Sequence, residues 1–207
     1  MMFADLDMAS AAPLLAAVTH EKFGPGERIY PAGGKPGALF SVRRGVIKLS
    51  SISPEGDLRI VRLLGPGTTF GLEAMLKEPY HHLAESLSDS EICRIPAGSV
   101  REIADHQRQL CARLMAQWDK HVELADNNLL NLSAGTIKAR VANLLTLIDS
   151  LCRRGNTPFV LPNNQDCAAL VAARVESVSR VMAELKRNGV LRQDERGQWQ
   201  FDSGADL

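Results

Sequence analysis

Apolar and polar positions follow two rhythms along this chain, and the change from one to the other falls near Pro96. Before it, short runs rich in Val, Ile, Leu and Phe are punctuated by turn signals at Gly24-Pro25-Gly26, Gly33-Gly34, Pro54-Glu55-Gly56 and Gly65-Pro66-Gly67. The runs are too short for helices. They predict strands at Arg28 to Tyr30, Leu39 to Val42, Val46 to Ser51, Arg59 to Leu64, His82 to Leu87 and Glu91 to Ile95. Many short strands at even spacing predict an antiparallel barrel, sandwich or roll.

Beyond Pro96 the period becomes helical. No Pro or Gly interrupts Arg101 to Leu132, and Cys111, Leu114, Trp118, Val122, Ala125, Leu129 and Leu132 recur at steps of three or four. An apolar stripe that long exceeds what a small β-domain can cover. Its expected partner is the same helix of a second copy, with Leu114, Trp118, Val122, Ala125 and Leu129 in the seam. Packing within its own chain is the alternative. Ser133 is placed to cap a further helix, in which Ile137, Val141, Leu144, Ile148 and Leu151 share a face and Gly155 supplies the stop.

The segment from Asn163 to Asn188 predicts a helix-turn-helix. Asp166 to Val171 gives a short helix, Ala172 to Arg174 a tight break, and Val175 to Asn188 a second helix. Val178, Val181 and Leu185 are spaced to face a core, which leaves Glu176, Ser179 and Arg180 on the opposite face near the helix start. Their chemistry suits base-pair edges. Arg180 can donate two parallel bonds to guanine O6 and N7, Glu176 can accept from cytosine N4, and Ser179 can bond a base or touch a thymine methyl. A strand is expected at Phe159 to Leu161, and a hairpin from Val190 to Arg192 and Trp199 to Phe201, which makes the motif winged. Lys186, Arg187, Arg192 and Arg196 are then the expected phosphate contacts.

Composition narrows the classes. Of 207 residues, 45% are hydrophobic and 23% charged, which excludes a disordered or fibrous chain. No uncharged apolar run is long enough to span a bilayer, and Asp5 and Asp7, not a basic region, precede the apolar start at Pro13 to Val18, so a cytoplasmic protein without membrane attachment is expected. The net charge is zero, but residues 1 to 133 carry 14 basic and 16 acidic side chains while residues 134 to 201 carry 10 and 6. The C-terminal third is thus the basic end. Cys93, Cys111, Cys152 and Cys167 form no Cys-x-x-Cys pair, and His81 and His82, if on a strand, would point to opposite faces, so no metal site is expected.

The order of parts resembles the Crp/Fnr family of bacterial regulators, over roughly residues 20 to 202. The resemblance is carried by Phe23-Gly-Pro-Gly-Glu-Arg-Ile-Tyr30, by Leu39-Phe-Ser-Val-Arg-Arg-Gly-Val-Ile-Lys-Leu49, by Leu64-Gly-Pro-Gly-Thr-Thr-Phe-Gly71 and by Val175-Glu-Ser-Val-Ser-Arg180. The last is similar to the Fnr branch, which implies recognition of TTGAT-like half-sites in an inverted repeat by Glu176, Ser179 and Arg180. The implied architecture is α+β: a double-stranded β-roll sensor like cyclic-nucleotide-binding domains over residues 1–100, a dimerisation helix over 101–132, and a winged helix-turn-helix over 133–207. Double-stranded DNA, a second copy of the chain and RNA polymerase are the implied partners.

The chain also departs from the family pattern. Cyclic-nucleotide binders follow the Phe-Gly turn with Glu and later present Arg-Ser or Arg-Thr before Ala, whereas this chain has Leu72 and then His82-Leu83-Ala84. Glu73 comes one residue late and would face away if the segment were a strand. No guanidinium is therefore expected at the phosphate position, and cyclic AMP binding in the usual manner is not expected. The candidate effector pocket comprises Phe70, Gly71, Leu72, Glu73, His82 and Leu83. Residues 1 to 92 contain no cysteine for the iron-sulfur cluster of the oxygen-sensing members. The effector is left open, with a haem on His81 or His82 among the possibilities, and oxidation of Cys111 or Cys167 is a second regulatory expectation. Ala172 replaces the family's turn glycine. A ligand-binding regulator without DNA contact and a cupin-like metal enzyme are the competing readings; the first leaves Glu176, Ser179 and Arg180 without a role, and the second lacks the clustered His and Glu it needs.

Overall fold

A computed structural model describes residues 8–105, 107–202 and 204; Asp5 and Asp7 lie outside them. The first unit opens with helix α1 (Met8–Ala17), whose Leu14 is buried in the core that follows. Eight strands come next: β1 (Thr19–Phe23), β2 (Arg28–Tyr30), β3 (Ala38–Arg44), β4 (Ile47–Ile52), β5 (Leu58–Leu64), β6 (Thr69–Phe70), β7 (Leu83–Ser86) and β8 (Ser90–Pro96). They form two four-stranded antiparallel sheets, in the orders β1-β8-β3-β6 and β2-β7-β4-β5. This is the expected roll, with two strands the hydrophobic runs did not mark. In β1 most residues are polar and only partly covered, and β6 is two residues long.

Between the sheets lies a core that includes Leu39, Phe40, Ile47, Leu64, Phe70 and Ile92. Tyr30 and Tyr80 stack with ring centroids 3.9 Å apart, and Phe40 and Phe70 pack at 5.3 Å. The buried Tyr80 hydroxyl is satisfied twice, donating to the Ala38 carbonyl at 2.6 Å and accepting from the Ala38 amide at 3.1 Å. Gly71 has φ 71°, and a Cβ there would meet Tyr80 and Phe40 at 3.1 and 3.2 Å, so the turn after Phe70 admits only glycine without rearrangement.

The long helix is shorter than the uninterrupted run from Arg101 to Leu132 predicts. Helix α2 (Ala97–Ala104) packs on the roll, Gln107 is extended at φ −127° and ψ 96°, and helix α3 runs over Arg108–Ser133. At 26 residues α3 is about 39 Å long. Ser133 therefore ends a helix and does not begin one. The next helix, α4 (Ile137–Arg154), is capped by Thr136, whose Oγ1 accepts from the Ala139 amide at 3.1 Å. Val141, Leu144, Ile148 and Leu151 are buried along one face of α4. Gly155 follows as expected but is right-handed at φ −88°; its lack of a side chain matters because a Cβ would meet Pro66 at 2.8 Å.

The C-terminal unit is completed by α5 (Asn164–Val171), α6 (Val175–Arg187) and a hairpin of β9 (Leu191–Gln193) and β10 (Trp199–Phe201). Phe159 to Leu161 is not a strand. Those residues, flanked by Pro158 and Pro162, run as unpaired chain over the head core, where Phe159 stacks on Phe201 at 5.7 Å.

Roll and head share one interface. Val46, Ile60, Leu63 and Leu87 of the roll belong to the same buried cluster as Leu144, Cys167, Val171 and Leu185 of the head. A Cβ on Gly65 would meet Leu151 at 2.8 Å, which shows how closely the roll's turn approaches α4. In this interface Lys48 of β4 donates to Asp166 of α5 at 2.7 Å, with side chains only 10% and 11% exposed.

Ala172 ends α5 in the left-handed region at φ 49° and ψ 50°. That conformation costs an alanine about 1 to 2 kcal/mol, partly offset by the lower chain entropy alanine has when unfolded. Ala172→Gly is expected to stabilise the protein by about 0.5 to 1 kcal/mol, read as a higher urea midpoint at unchanged slope.

Candidate DNA-reading surface and roll pocket

Asn163 starts α5 by accepting from the Asp166 amide through its side chain at 2.8 Å. The end of α5 is held by Arg140 of α4, which donates to the Val171 and Ala172 carbonyls at 2.7 and 3.4 Å. A cation on the last carbonyls of a helix is favourable, so Arg140 steadies the strained turn. The chain then re-enters helix at Val175. Val178, Met182 and Leu185 are buried and Val181 is half-buried, so α6 is anchored along one stripe, with Met182 added to the expected set.

The opposite stripe is free. Glu176 and Arg180 are exposed on the first turns of α6, and Ser179 beside them is half-buried. Ala183 and Arg187 continue the exposed row at helical spacing. A protruding helix with a carboxylate, a hydroxyl and a guanidinium near its start presents one acceptor-only, one mixed and one donor-only group.

The four expected phosphate contacts do not share one environment. Arg187, Arg192 and Arg196 are exposed, and Arg196 sits at the tip of the hairpin. There Asp194 accepts from the Arg196 and Gln198 amides at 2.9 and 2.8 Å, and Gly197 takes φ 74°. The Lys186 ammonium instead lies 4.5 Å from the centre of the Trp199 ring, joining the second helix to the wing.

On α3 the outward positions Met115, Trp118, Val122, Ala125 and Leu129 alternate steps of three and four and are all exposed, Met115 at 72% and Leu129 at 66%. Leu114 does not belong with them. It points inward and is buried with Leu110 in the roll core, and Met115 takes its place in the stripe. The sequence signal was present, because Met115, Trp118, Val122, Ala125 and Leu129 form an unbroken heptad pattern.

The roll pocket differs most from expectation. Residues 72–76 form a 3-10 turn, not a strand, so Glu73 faces the pocket. Its Oε1 lies 3.8 Å from His81 Nδ1 and 4.0 Å from His82 Nδ1. The two imidazoles precede β7 and approach the same carboxylate oxygen; they do not point to opposite faces. Phe70, Gly71, Leu72, Glu73 and His82 line the cavity, whereas Leu83 does not.

The pocket holds a guanidinium from outside residues 81 to 84. Arg62 of β5 reaches His121 Nδ1 at 3.2 Å and His82 Nε2 at 3.5 Å. His121, buried on α3, bonds the Thr69 carbonyl through Nε2 at 2.5 Å. Since a carbonyl only accepts, Nε2 carries the proton and Nδ1 is free to accept from Arg62. Arg62, His121 and Trp118 were missed because they come from distant elements. The cavity volume is about 110 Å³, well below the several hundred Å³ usual for nucleotide-sized or larger ligands. Among the described residues no group of three or more His, Cys, Asp or Glu could hold a metal ion.

Burial, reinforced by Asp166, pushes the Cys167 thiol up to about 12, and its sulfur is fully enclosed. An enclosed thiol with so little thiolate is a poor target for oxidation, which removes Cys167 from the expected redox pair; Cys111 is exposed.

Residues 20–107 match the cyclic nucleotide-binding domain and residues 139–201 the Crp-like helix-turn-helix domain. A probable transcriptional activator of Rhizobium leguminosarum is 31% identical over 179 residues, spanning 83% of this chain and 72% of its own. The transcriptional regulator LdrP of Thermus thermophilus is 28% identical over 174 residues, with 83% and 86% coverage. The transcriptional activator protein anr of Pseudomonas aeruginosa is 29% identical over 170 residues, with 80% and 70% coverage. The fold of FixK2 from Bradyrhizobium japonicum superposes with a TM-score of 0.74 at 23% identity, over 90% of this chain and 93% of that one.

Desolvation first, and then for His82 the Arg62 charge, holds the His82 and His121 imidazoles below the ordinary histidine range. Protonating His121 Nδ1 would aim a new N–H at the Arg62 guanidinium. With the folded-state values below the unfolded value of about 6.5, the unfolded chain gains protons first as pH falls, so this contribution to stability is intact above about pH 6.5 and lost below it. The urea midpoint is expected to drop between about pH 7 and about pH 5.5, and to drop less in His121→Gln. An equal drop in both proteins would remove His121 from the effect.

Proposed function

Because the chain belongs to the Crp/Fnr family of DNA-binding transcription regulators with a cyclic nucleotide-binding-type domain, we propose that it acts as a homodimer on an inverted repeat of TTGAT-like half-sites. The observation that carries this reading is the exposed row of Glu176, Ser179 and Arg180 on a helix whose other side is anchored by Val178, Met182 and Leu185. Arg180 reads guanine by a bidentate pair, Glu176 accepts from cytosine, and Ser179 contacts the neighbouring pair. Arg187, Arg192 and Arg196 hold phosphates, and Lys186 reaches the backbone from its seat on Trp199.

A second copy completes the protein. The α3 stripe of Met115, Trp118, Val122, Ala125 and Leu129 is the seam, and its heptad phasing supports a parallel two-helix contact. Two heads then enter successive major grooves, with half-site centres about 34 Å apart. Residues 1–100 act as the sensor, the α3 region as the dimer element and residues from 133 onward as the reader. RNA polymerase is the partner at the promoter. Such a protein works in the cytoplasm; among the described residues no helix is long and apolar enough to cross a membrane. The signal enters near Arg62 and His121, where roll and α3 meet, through a ligand smaller than a nucleotide or through a rearrangement that enlarges the cavity.

A mobility-shift titration with a TTGAT-N4-ATCAA duplex tests the reading. Arg180→Ala is expected to weaken specific binding by about 1 to 3 kcal/mol and to relax selectivity at one base pair; undiminished binding would contradict the contact assignment. Val122→Glu places a charge in the proposed seam and is expected to give a monomer by sedimentation, with paired-site affinity lost.

A further inference from the structure

Lys48 occupies the middle of β4, between Ile47 and Leu49, both buried in the roll core. Alternation sends its side chain to the outer face of the sheet, where lysine is ordinarily solvated. Here the head covers it. Its ammonium lies 2.7 Å from Asp166 Oδ1 and 3.9 Å from Glu85, its cross-strand neighbour in β7. The other Asp166 oxygen accepts from Asn163 Nδ2 at 3.0 Å, and Asn163 in turn caps α5. One chain of polar contacts therefore links the roll sheet to the start of the helix that supports α6.

We propose that Lys48 is a positioning residue for DNA recognition: its bond to Asp166 fixes the angle at which the roll-bound head presents α6, and so the half-site spacing the protein accepts. The buried cluster around it is apolar, with Val46, Ile60, Leu63 and Leu87 on the roll side, and apolar contact is non-directional, so it holds the head without specifying its angle. A charged hydrogen bond in a covered interface does specify it, because a slide of the head breaks the shortest contact and leaves Lys48 only Glu85 at 3.9 Å and Asp166 only its bond from Asn163. In this bonded arrangement Glu176 and Arg180 remain exposed, so the contact is compatible with reading and does not mask the surface.

The inference rests on the DNA-reading assignment above, and the experiment separates the two. Wild type, Lys48→Met and the neutral double variant Lys48→Gln/Asp166→Asn are titrated with a single TTGAT half-site and with paired half-sites on spacers of N3, N4 and N5. Single-site affinity is expected to stay within about twofold of wild type, while affinity for the preferred spacing falls about tenfold and the preference among spacers narrows. A purely structural role would lower both duplex classes together in proportion to the folded fraction. An unchanged spacing preference in folded Lys48→Met, or tighter paired-site binding, overturns the proposal. If Lys48→Met leaves little folded protein, the double variant, which removes both charges of the Lys48–Asp166 bond and keeps Glu85, decides by the same criteria. Failure of wild type to distinguish TTGAT from a scrambled half-site would instead sink the DNA-reading assignment.

Discussion

One helix has to satisfy two cores at once. The inner edge of α3 inserts Leu110 and Leu114 into the roll and Leu132 into the head, with His121 and Asn128 bonding roll carbonyls between them. Because those inward positions are occupied along nearly the whole length, the outer apolar stripe stays exposed among the described residues. The same constraint explains the break at Gln107. The extended residue separates α2, which packs on β3, β8 and the 3-10 turn, from α3, which packs on β5.

The head is joined to this frame at several close contacts. Gly65 against Leu151, and Gly155 against Pro66, bring backbone within reach of side chains, where any Cβ would clash. Buried Lys48 and Asp166 add direction to what is otherwise apolar packing. Inside the head, the strained Ala172 turn is supported by Arg140, so the angle between α5 and α6 is set by a left-handed residue and a guanidinium acting on the same carbonyls.

Much of this was legible in the residue pattern, for local reasons. Short apolar runs between glycine turns gave the strands, period 3.6 gave α4 and α6, and the opposed faces of α6 followed from Val178, Val181 and Leu185. What escaped notice was non-local. Lys48 and Asp166 are 118 positions apart, and neither carries a mark of its partner in the sequence. Arg62, Glu73 and His121 meet only after β5, the 3-10 turn and α3 are assembled, and the strand assumed at Glu73 reversed its direction. Leu114 was placed in the wrong stripe because its step of four to Trp118 fits a helical face as well as the step of three from Met115 does, and only the roll core decides between them.

Trp118 lines the roll pocket and also stands on the outer stripe of α3, while Trp199 lies under the Lys186 ammonium on the wing. These are the chain's two indoles. Its intrinsic fluorescence is thereby divided between its two ends: one emitter answers to events at the sensor and subunit contact, the other to events at the nucleic-acid end. A single-tryptophan variant of either kind turns the protein into its own optical probe, able to tell which end responds first.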